Sequence, residues 1–527
     1  MITVPSPINT VEDVHSVTSP PVSDEDAHVE AQPAGAGAPA LLLLGLFVIA
    51  TVVSLQVGDL FGVIATLAVA IAALIVPLVV AVQRSHDLAP FLAVPTVLSV
   101  LQNVYLLPVA GQVSTDAMQA VIVFNWAYAV VLVLVLAAIA GRGRTVENER
   151  VGRLKRVGAW SLAVVAFYGA ALGLLHGASP IAMLATTRNL TAPFLFLLIG
   201  LYASRRASAR RYGFYISALG VVSVAFGVYE RYLVPSFWID AGIAELWSKK
   251  GIEVNAGTGL PSNFHSSEML GGEQLRRMVG TFADPVNFGT FLFAAFVLSW
   301  YFRRRFVALL MLLAAVPVVS KGAFLGFLVY ATVWTRYLAD RVVFVLSLVT
   351  TVAAGVVFYG FTQSSSTGST TAHINGLFAA FLELPTNPFG HGAGRTGVLA
   401  GLFGEGAESA VTESGLGAIV GTLGVVGVAV FTVFLVGLAR ACLSIVDLRA
   451  RVATTALLLA FVLNMMFNEV ALSPNSCAVY FVALGLLIGQ SLSKSEPARA
   501  ALPRPLAGAS RRRRSAGRRS GLHGSVQ

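Results

Sequence analysis

The chain is expected to fold as an all-α protein, a polytopic transmembrane helical bundle of about fourteen spans with two long extracytoplasmic loops. Three observations predict this. Of 527 residues, 56% are hydrophobic and only 12% are charged, with a mean hydropathy of +0.77, far too apolar for a soluble domain. Apolar runs of about 17–25 residues recur, the length a helix needs to cross a hydrocarbon layer of about 30 Å. Lys and Arg gather in alternate connections, the pattern of cytoplasmic loops.

In chain order, residues 1–39 hold six acids and no Lys or Arg among many Pro, Ser, Ala and Gly, so a disordered acidic cytoplasmic tail is expected. So long a polar lead speaks against a cleavable signal peptide. A transmembrane domain follows over 40–493. Its apolar runs lie at about 40–57, 60–82, 88–109, 118–140, 157–175, 181–203, 212–234 and 286–302. Further runs lie at about 306–320, 322–338, 342–361, 413–438, 452–471 and 477–492. Between the runs at 306–338 stands only Ser320-Lys321-Gly322, so this stretch reads as two short helices or as one long or re-entrant segment. Residues 494–527, with RRRRSAGRR at 511–519, form a basic cytoplasmic tail suited to anionic membrane lipid; nucleic acid is not an expected partner.

With the N-terminus inside, most of the 36 Lys and Arg fall in cytoplasmic segments, which places both termini in the cytoplasm. Cys442 and Cys477 then lie on opposite sides of the membrane. As the only cysteines, they exclude a disulfide framework or a cysteine zinc site. The basic residues left over are Arg188, Arg231, Lys249, Lys250, Arg276, Arg277, Lys321 and Arg395, all at or near the outer face. The two long outer segments, 235–285 and 362–412, are polar, and function concentrates in such loops.

The stretch RRMVGTFADPVNFGTF, 276–291, ends the first of these segments. Arg276 and Arg277 stand at a membrane–water boundary, and Asp284-Pro285 signals the start of a helix. Asn287 and Thr281 add polar groups, so the corner suits a phosphate-bearing ligand. The alternative is that the arginines only anchor a helix end at the headgroups. Arg188, in ATTRNLTAP, lies within a span, where a cation costs roughly 2.5–3.5 kcal/mol on insertion scales unless paired or snorkelling. Glu230, Arg231 and Glu469 sit near outer span ends, and for these a structural polar network and catalysis both remain open.

Four features resemble the superfamily of O-antigen ligases and O-antigen or exopolysaccharide polymerases. They are the R-x-x-G-T-F-x-x-P pattern from Arg277, the SKGAFLGFL turn, NPFGHGAGRTG at 387–397 and ESGLGAIVGTLGVVG at 413–427. The resemblance covers roughly 200–470. It implies a glycosyltransferase-C-like helical fold in the cytoplasmic membrane and transfer of a glycan from polyprenyl pyrophosphate at the extracytoplasmic face. It further implies a metal-independent enzyme without cofactors, with a flippase and a chain-length regulator as candidate partners. Pyrophosphate binding would fall to Arg277, Arg276, Arg188 and Lys321. Glu230, Arg395 and Asn287 would serve an acceptor site or a structural network.

Two departures refine this expectation. Lys321 stands where the family's turn carries arginine, giving a point charge in place of a bidentate fork. Glu413-Ser414 stands where ligases tend to carry histidine, which favours a polymerase. As the glycosidic bond breaks, cations at the membrane edge would neutralise the leaving pyrophosphate, and Glu413 or His391 would take the acceptor proton. The chain has no DxD, Walker or HExxH motif, which favours a lipid-linked donor. The alternatives are a ligase that moves finished glycan to a lipid, protein or wall acceptor, and a transporter or lipid flippase.

Overall fold

The computed structural model describes residues 78–80, 87–111, 115–142, 147–249, 252, 254–270, 273–365, 369–403 and 413–500. Helix α1 spans Ala89–Leu106, α2 Thr115–Arg142, α3 Glu149–Leu175 and α4 Pro180–Ala203. Helix α5, Ala209–Val228, runs on as a π-helical turn, Tyr229–Leu233. Two short helices, α6 (Phe237–Asp240) and α7 (Ile243–Lys249), precede an antiparallel hairpin of β1 (His265–Leu270) and β2 (Glu273–Arg276). Then come α8 (Pro285–Tyr301), α9 (Arg305–Val318), α10 (Lys321–Leu338) and α11 (Arg341–Ser365). The chain continues as α12 (Ser369–Glu383), α13 (Val398–Phe403), α14 (Gly415–Leu443), α15 (Leu448–Phe467) and α16 (Pro474–Ala500).

The protein is an all-α polytopic membrane protein. Among the described residues, 7 helices are long and apolar enough to cross a membrane, and α8, α9 and parts of α2, α11 and α12 are shorter apolar helices. The expected runs from 88–109 onward each coincide with a helix. The acidic tail, the run at 40–57, most of that at 60–82, Lys250, residues 404–412 and the chain after 500 lie outside the described residues.

Several boundaries differ from expectation for identifiable reasons. The stretch 306–338 is two helices, α9 and α10, because the chain reverses at Val319, whose φ is 50°. The run at 413–438 is broken within α14 at Gly424, with φ 57° and ψ −144°. The run at 452–471 stops at Phe467, and a 3-10 turn, Glu469–Leu472, carries the chain into α16. The segments 235–285 and 362–412 contain helices and a hairpin, and α16 continues past 493 into the expected tail.

Polar side chains set seven of the described helix starts. Asn148, Ser179, Ser208, Asp284, Ser320, Ser414 and Asp447 each accept a first-turn N–H, satisfying a donor with no partner in the helix. Pro180 and Pro285 occupy first positions, where no N–H is required.

In lipid, helices associate through close packing, and small residues allow it. Helices α4 and α16 run parallel, with Gly200 against Val482 and Gly485, and Gly489 against Ser204. A Cβ on Gly485 would meet the Leu197 carbonyl at 2.6 Å. Gly485→Ala is therefore expected to destabilise the protein by about 1–3 kcal/mol, the usual cost of overpacking. Thermal unfolding in detergent checks this, with Gly355→Ala, where a Cβ meets nothing, leaving stability intact. Around this pair, Phe194 packs edge-on against Phe434, and Phe461 against Phe481, joining α4, α14, α15 and α16.

One end of the bundle gathers the starts of α4, α8, α10, α14 and α16. The turn Glu469–Leu472 sits among them, touching α4, α8, α14, α15 and α16.

Candidate functional site

At that end the segment 277–284 is tightly built. Gly280–Phe282 forms a 3-10 turn, and Ala283 takes a left-handed φ of 48°. The Thr281 hydroxyl lies 2.9 Å from that of Ser223 on α5, and Asn103 of α1 donates to the Phe282 carbonyl. Asp284 then caps α8 through the Val286 N–H at 3.0 Å, as the Asp-Pro pair predicts. Burial raises the Asp284 carboxyl, while the Val286 N–H and the charge of Arg277 act the other way. Asn287 donates to Asp284 and accepts from Ser476 at 2.8 Å and Ser473 at 3.3 Å, pinning the start of α8 to the start of α16.

The two adjacent arginines have different surroundings. Arg276 donates to the Pro235 carbonyl at 2.6 Å and pairs with the fully buried Glu230 at 3.2 Å. The other Glu230 oxygen accepts the Val279 N–H at 2.9 Å. Burial lowers the Arg276 pKa and Glu230 opposes this. This pair ties the end of α5 to the segment entering α8, so both residues serve the frame. Removing one partner of a buried pair typically costs about 3–5 kcal/mol. Glu230→Ala and Arg276→Ala are each expected to lower folded yield, and the double variant to be less unstable than the sum, as measured by unfolding in detergent.

Arg277 turns instead to the end of α9. Its Nε donates to the Val318 carbonyl at 3.1 Å and its Nη2 to that of Val319 at 2.8 Å. Val319 is β-branched with a positive φ, a strained conformation that the surroundings must hold. The next residue, Ser320, caps α10 and lies over Gly289, where any Cβ would collide with it. Lys321 is the first residue of α10, at the helix end whose dipole disfavours a cation. Gly322 lies against Asn464, near the end of α15.

The glycine-rich turn at 387–397 is packed into the bundle. The N–H groups of His391 and Gly392 donate to the Gly421 and Thr422 carbonyls of α14 at 2.9 Å, and Ala393 donates to Gly169 of α3 at 2.8 Å. Gly421 is six residues into α14, so the turn reaches about 9 Å along that helix. Val425, just past the break at Gly424, donates to the Pro388 carbonyl at 2.9 Å, so the turn replaces lost helical bonding. Gly390, Gly392, Gly394 and Gly397 all have φ of 80–87°. Arg395 follows Gly394, which touches Ala182 and Met183 of α4, and precedes Thr396, bonded to Thr422 at 2.7 Å. Farther along α4, about 12 Å from its start, half-buried Arg188 donates to Asn189 at 3.1 and 3.2 Å. Pro193 removes the N–H that would bond the Asn189 carbonyl, so this part of the wall is polar.

The carboxylates are arranged differently from expectation. Glu413 precedes the N-cap Ser414, and its carbonyl accepts the Glu469 N–H at 2.7 Å. Glu469 is 7% exposed and accepts the Val398 N–H at 2.8 Å. Its pKa is raised to about 7, by burial first and then by the Glu413 charge, with the Val398 N–H acting the other way. His391 bonds to Glu383, at the end of α12, at 2.7 Å, and its carbonyl meets His176 at 2.7 Å.

The structure thus joins Arg277 to the α9–α10 turn bearing Lys321, Asn287 to α16, Arg395 to α4 and α14, and Glu413 to Glu469. It commits Arg276 and Glu230 to each other and His391 to Glu383. Among the described residues, no group of three or more His, Cys, Asp or Glu is placed to hold a metal ion. Glu469 ranks higher in the structure than in the sequence, where its one signal is an acid between an apolar run and Ser-Pro. Comparison of the chain with protein families and with curated proteins gives no match.

Proposed function

We propose that the protein polymerises lipid-linked oligosaccharide repeat units into a polysaccharide at the outer face of the cytoplasmic membrane. The observation that supports this most is that the segments bearing Arg277, Lys321 and Arg395 lie at the end of the bundle where α4, α8, α10, α14 and α16 start, with Arg188 about 12 Å along α4, and that Glu413 and Glu469 lie at the same end. Helix N-termini and guanidinium groups both favour phosphate oxygens. A donor that carries pyrophosphate on a polyprenyl chain matches a cationic site bordered by lipid. In this reading the chain has about fourteen spans, a glycosyltransferase-C-like arrangement, cytoplasmic termini and its site on the extracytoplasmic side. A flippase would deliver the donor and a chain-length regulator would act on the product.

Native cysteines cannot report this orientation, because Cys442 and Cys477 are buried. Exposed positions serve instead: an impermeant maleimide on intact cells is expected to label Ser248→Cys in α7 and spare Val446→Cys between α14 and α15. Labelling of Val446→Cys alone would reverse the orientation.

Cells lacking the protein test the function. They are expected to lose surface polymer and accumulate polyprenyl pyrophosphate bearing one repeat unit. Accumulation of long lipid-linked chains would identify a ligase, and an unchanged lipid-linked pool would remove both enzyme readings.

A further inference from the structure

The proposed transfer needs a group to take the acceptor proton, and Glu469 has the most suitable surroundings. It lies in the turn that touches α4, α8, α14, α15 and α16, at the end where α4, α8, α14 and α16 start. Its Oε2 is fixed by the Val398 N–H at 2.8 Å. Both its oxygens lie over Gly397, where a Cβ would come within 2.9 Å of Oε2 and 3.1 Å of Oε1. Gly397, with φ 86°, lets the chain pass this close. Among the described residues, no Lys, Arg or His forms an ion pair with Glu469.

The titratable and charged groups on the elements packed around it at this end are Arg188 on α4, Asp284 before α8, Glu413 before α14 and Cys477 on α16. The end of α15 contributes Asn464 and Asn468, while Arg395 lies on the adjoining glycine turn. Of these, Glu413 is the charge that acts on Glu469. A buried carboxylate that feels the charge of a second carboxylate, with one oxygen held by a single N–H, is an expensive arrangement for a purely structural residue.

We propose that Glu469 is the general base of the glycosyl transfer, receiving the proton of the acceptor sugar hydroxyl. This rests on the polymerase reading given above. The acceptor oxygen bonds to the donor's anomeric carbon, the bond from that carbon to the pyrophosphate oxygen breaks, and its electron pair leaves with the polyprenyl pyrophosphate. The proton passes to the Glu469 carboxylate. A base that titrates near neutrality combines availability with strength, whereas a carboxylate in the usual range is available but weak. Glu413 is then a positioning residue: its carbonyl orients the Glu469 backbone, and its charge adds to the basicity that burial produces.

The test uses purified full-length protein in lipid vesicles with a polyprenyl-pyrophosphate-linked repeat unit as donor and acceptor. Wild-type elongation is expected to rise with pH through about 7, where Glu469 loses its proton. Glu469→Gln keeps an acceptor for Val398 but cannot take a proton; it should slow elongation about a hundredfold or more while donor binding is retained. Glu413→Gln removes the charge that raises Glu469, so the acidic limb of the profile should move to lower pH. A Glu469→Gln rate equal to wild type overturns the assignment. If that variant does not fold, an unmoved limb in Glu413→Gln overturns it. Absence of elongation by the wild type would instead remove the polymerase reading and this assignment with it.

Discussion

Arg277→Ala is expected to abolish elongation in a protein that is still inserted. Charge-assisted hydrogen bonds contribute about 1.5–3 kcal/mol each. Two of them lost to a leaving pyrophosphate amount to a rate loss of about a hundredfold to ten-thousandfold. The guanidinium already serves the carbonyls of Val318 and Val319, so unfolding must be measured beside the rate. Arg277→Lys should recover only part of the activity, because one ammonium cannot reproduce the planar fork. Arg188→Ala separates the two roles. Removing a cation from a span relieves roughly 2.5–3.5 kcal/mol of insertion cost, so this variant should insert at least as well and yet fail to elongate. Normal polymer from either alanine variant would remove that residue from the pyrophosphate site.

Gly392→Ala should be comparably severe for a different reason. Its φ is 87°, and a Cβ there would strike the backbone of Leu172 and Gly173 on α3. Backbone cannot swing aside as a side-chain tip can. Left-handed strain and overpacking each cost about 1–3 kcal/mol, enough to expel the turn from between α3 and α14. Arg395 and Thr396 would lose their places and Val398 its register with Glu469. Elongation and thermal stability should fall together. Gly401→Ala, in α13 with nothing near its Cβ, should change neither.

Most of the helical frame was legible in the sequence, because runs such as 181–203 and 286–302 are long, apolar and opened by Ser-Pro or Asp-Pro. The start of α8 followed residue by residue, since Asp284 and Pro285 act locally. Less legible were features that depend on contacts between distant segments. The break at Gly424 exists because residues 388–392 bond to α14 in its place, and no local pattern within ESGLGAIVGTLGVVG encodes that partner. Likewise, Arg276 and Arg277 are neighbours of one type, and only the position of Glu230 on α5 separates a frame residue from a candidate ligand residue. Glu413 looked the better base because it opens an apolar run. The fold gives Glu469 the deeper burial, since the chain turns at Asn468 and folds the acid under Val398.

Elongation by the purified protein is the most direct measurement. Wild-type protein in vesicles, given only a polyprenyl-pyrophosphate-linked repeat unit and no nucleotide sugar, should produce a ladder of longer lipid-linked chains and release polyprenyl pyrophosphate. A donor that stays at one repeat unit, or that moves only when a non-glycan acceptor is added, would contradict polymerisation.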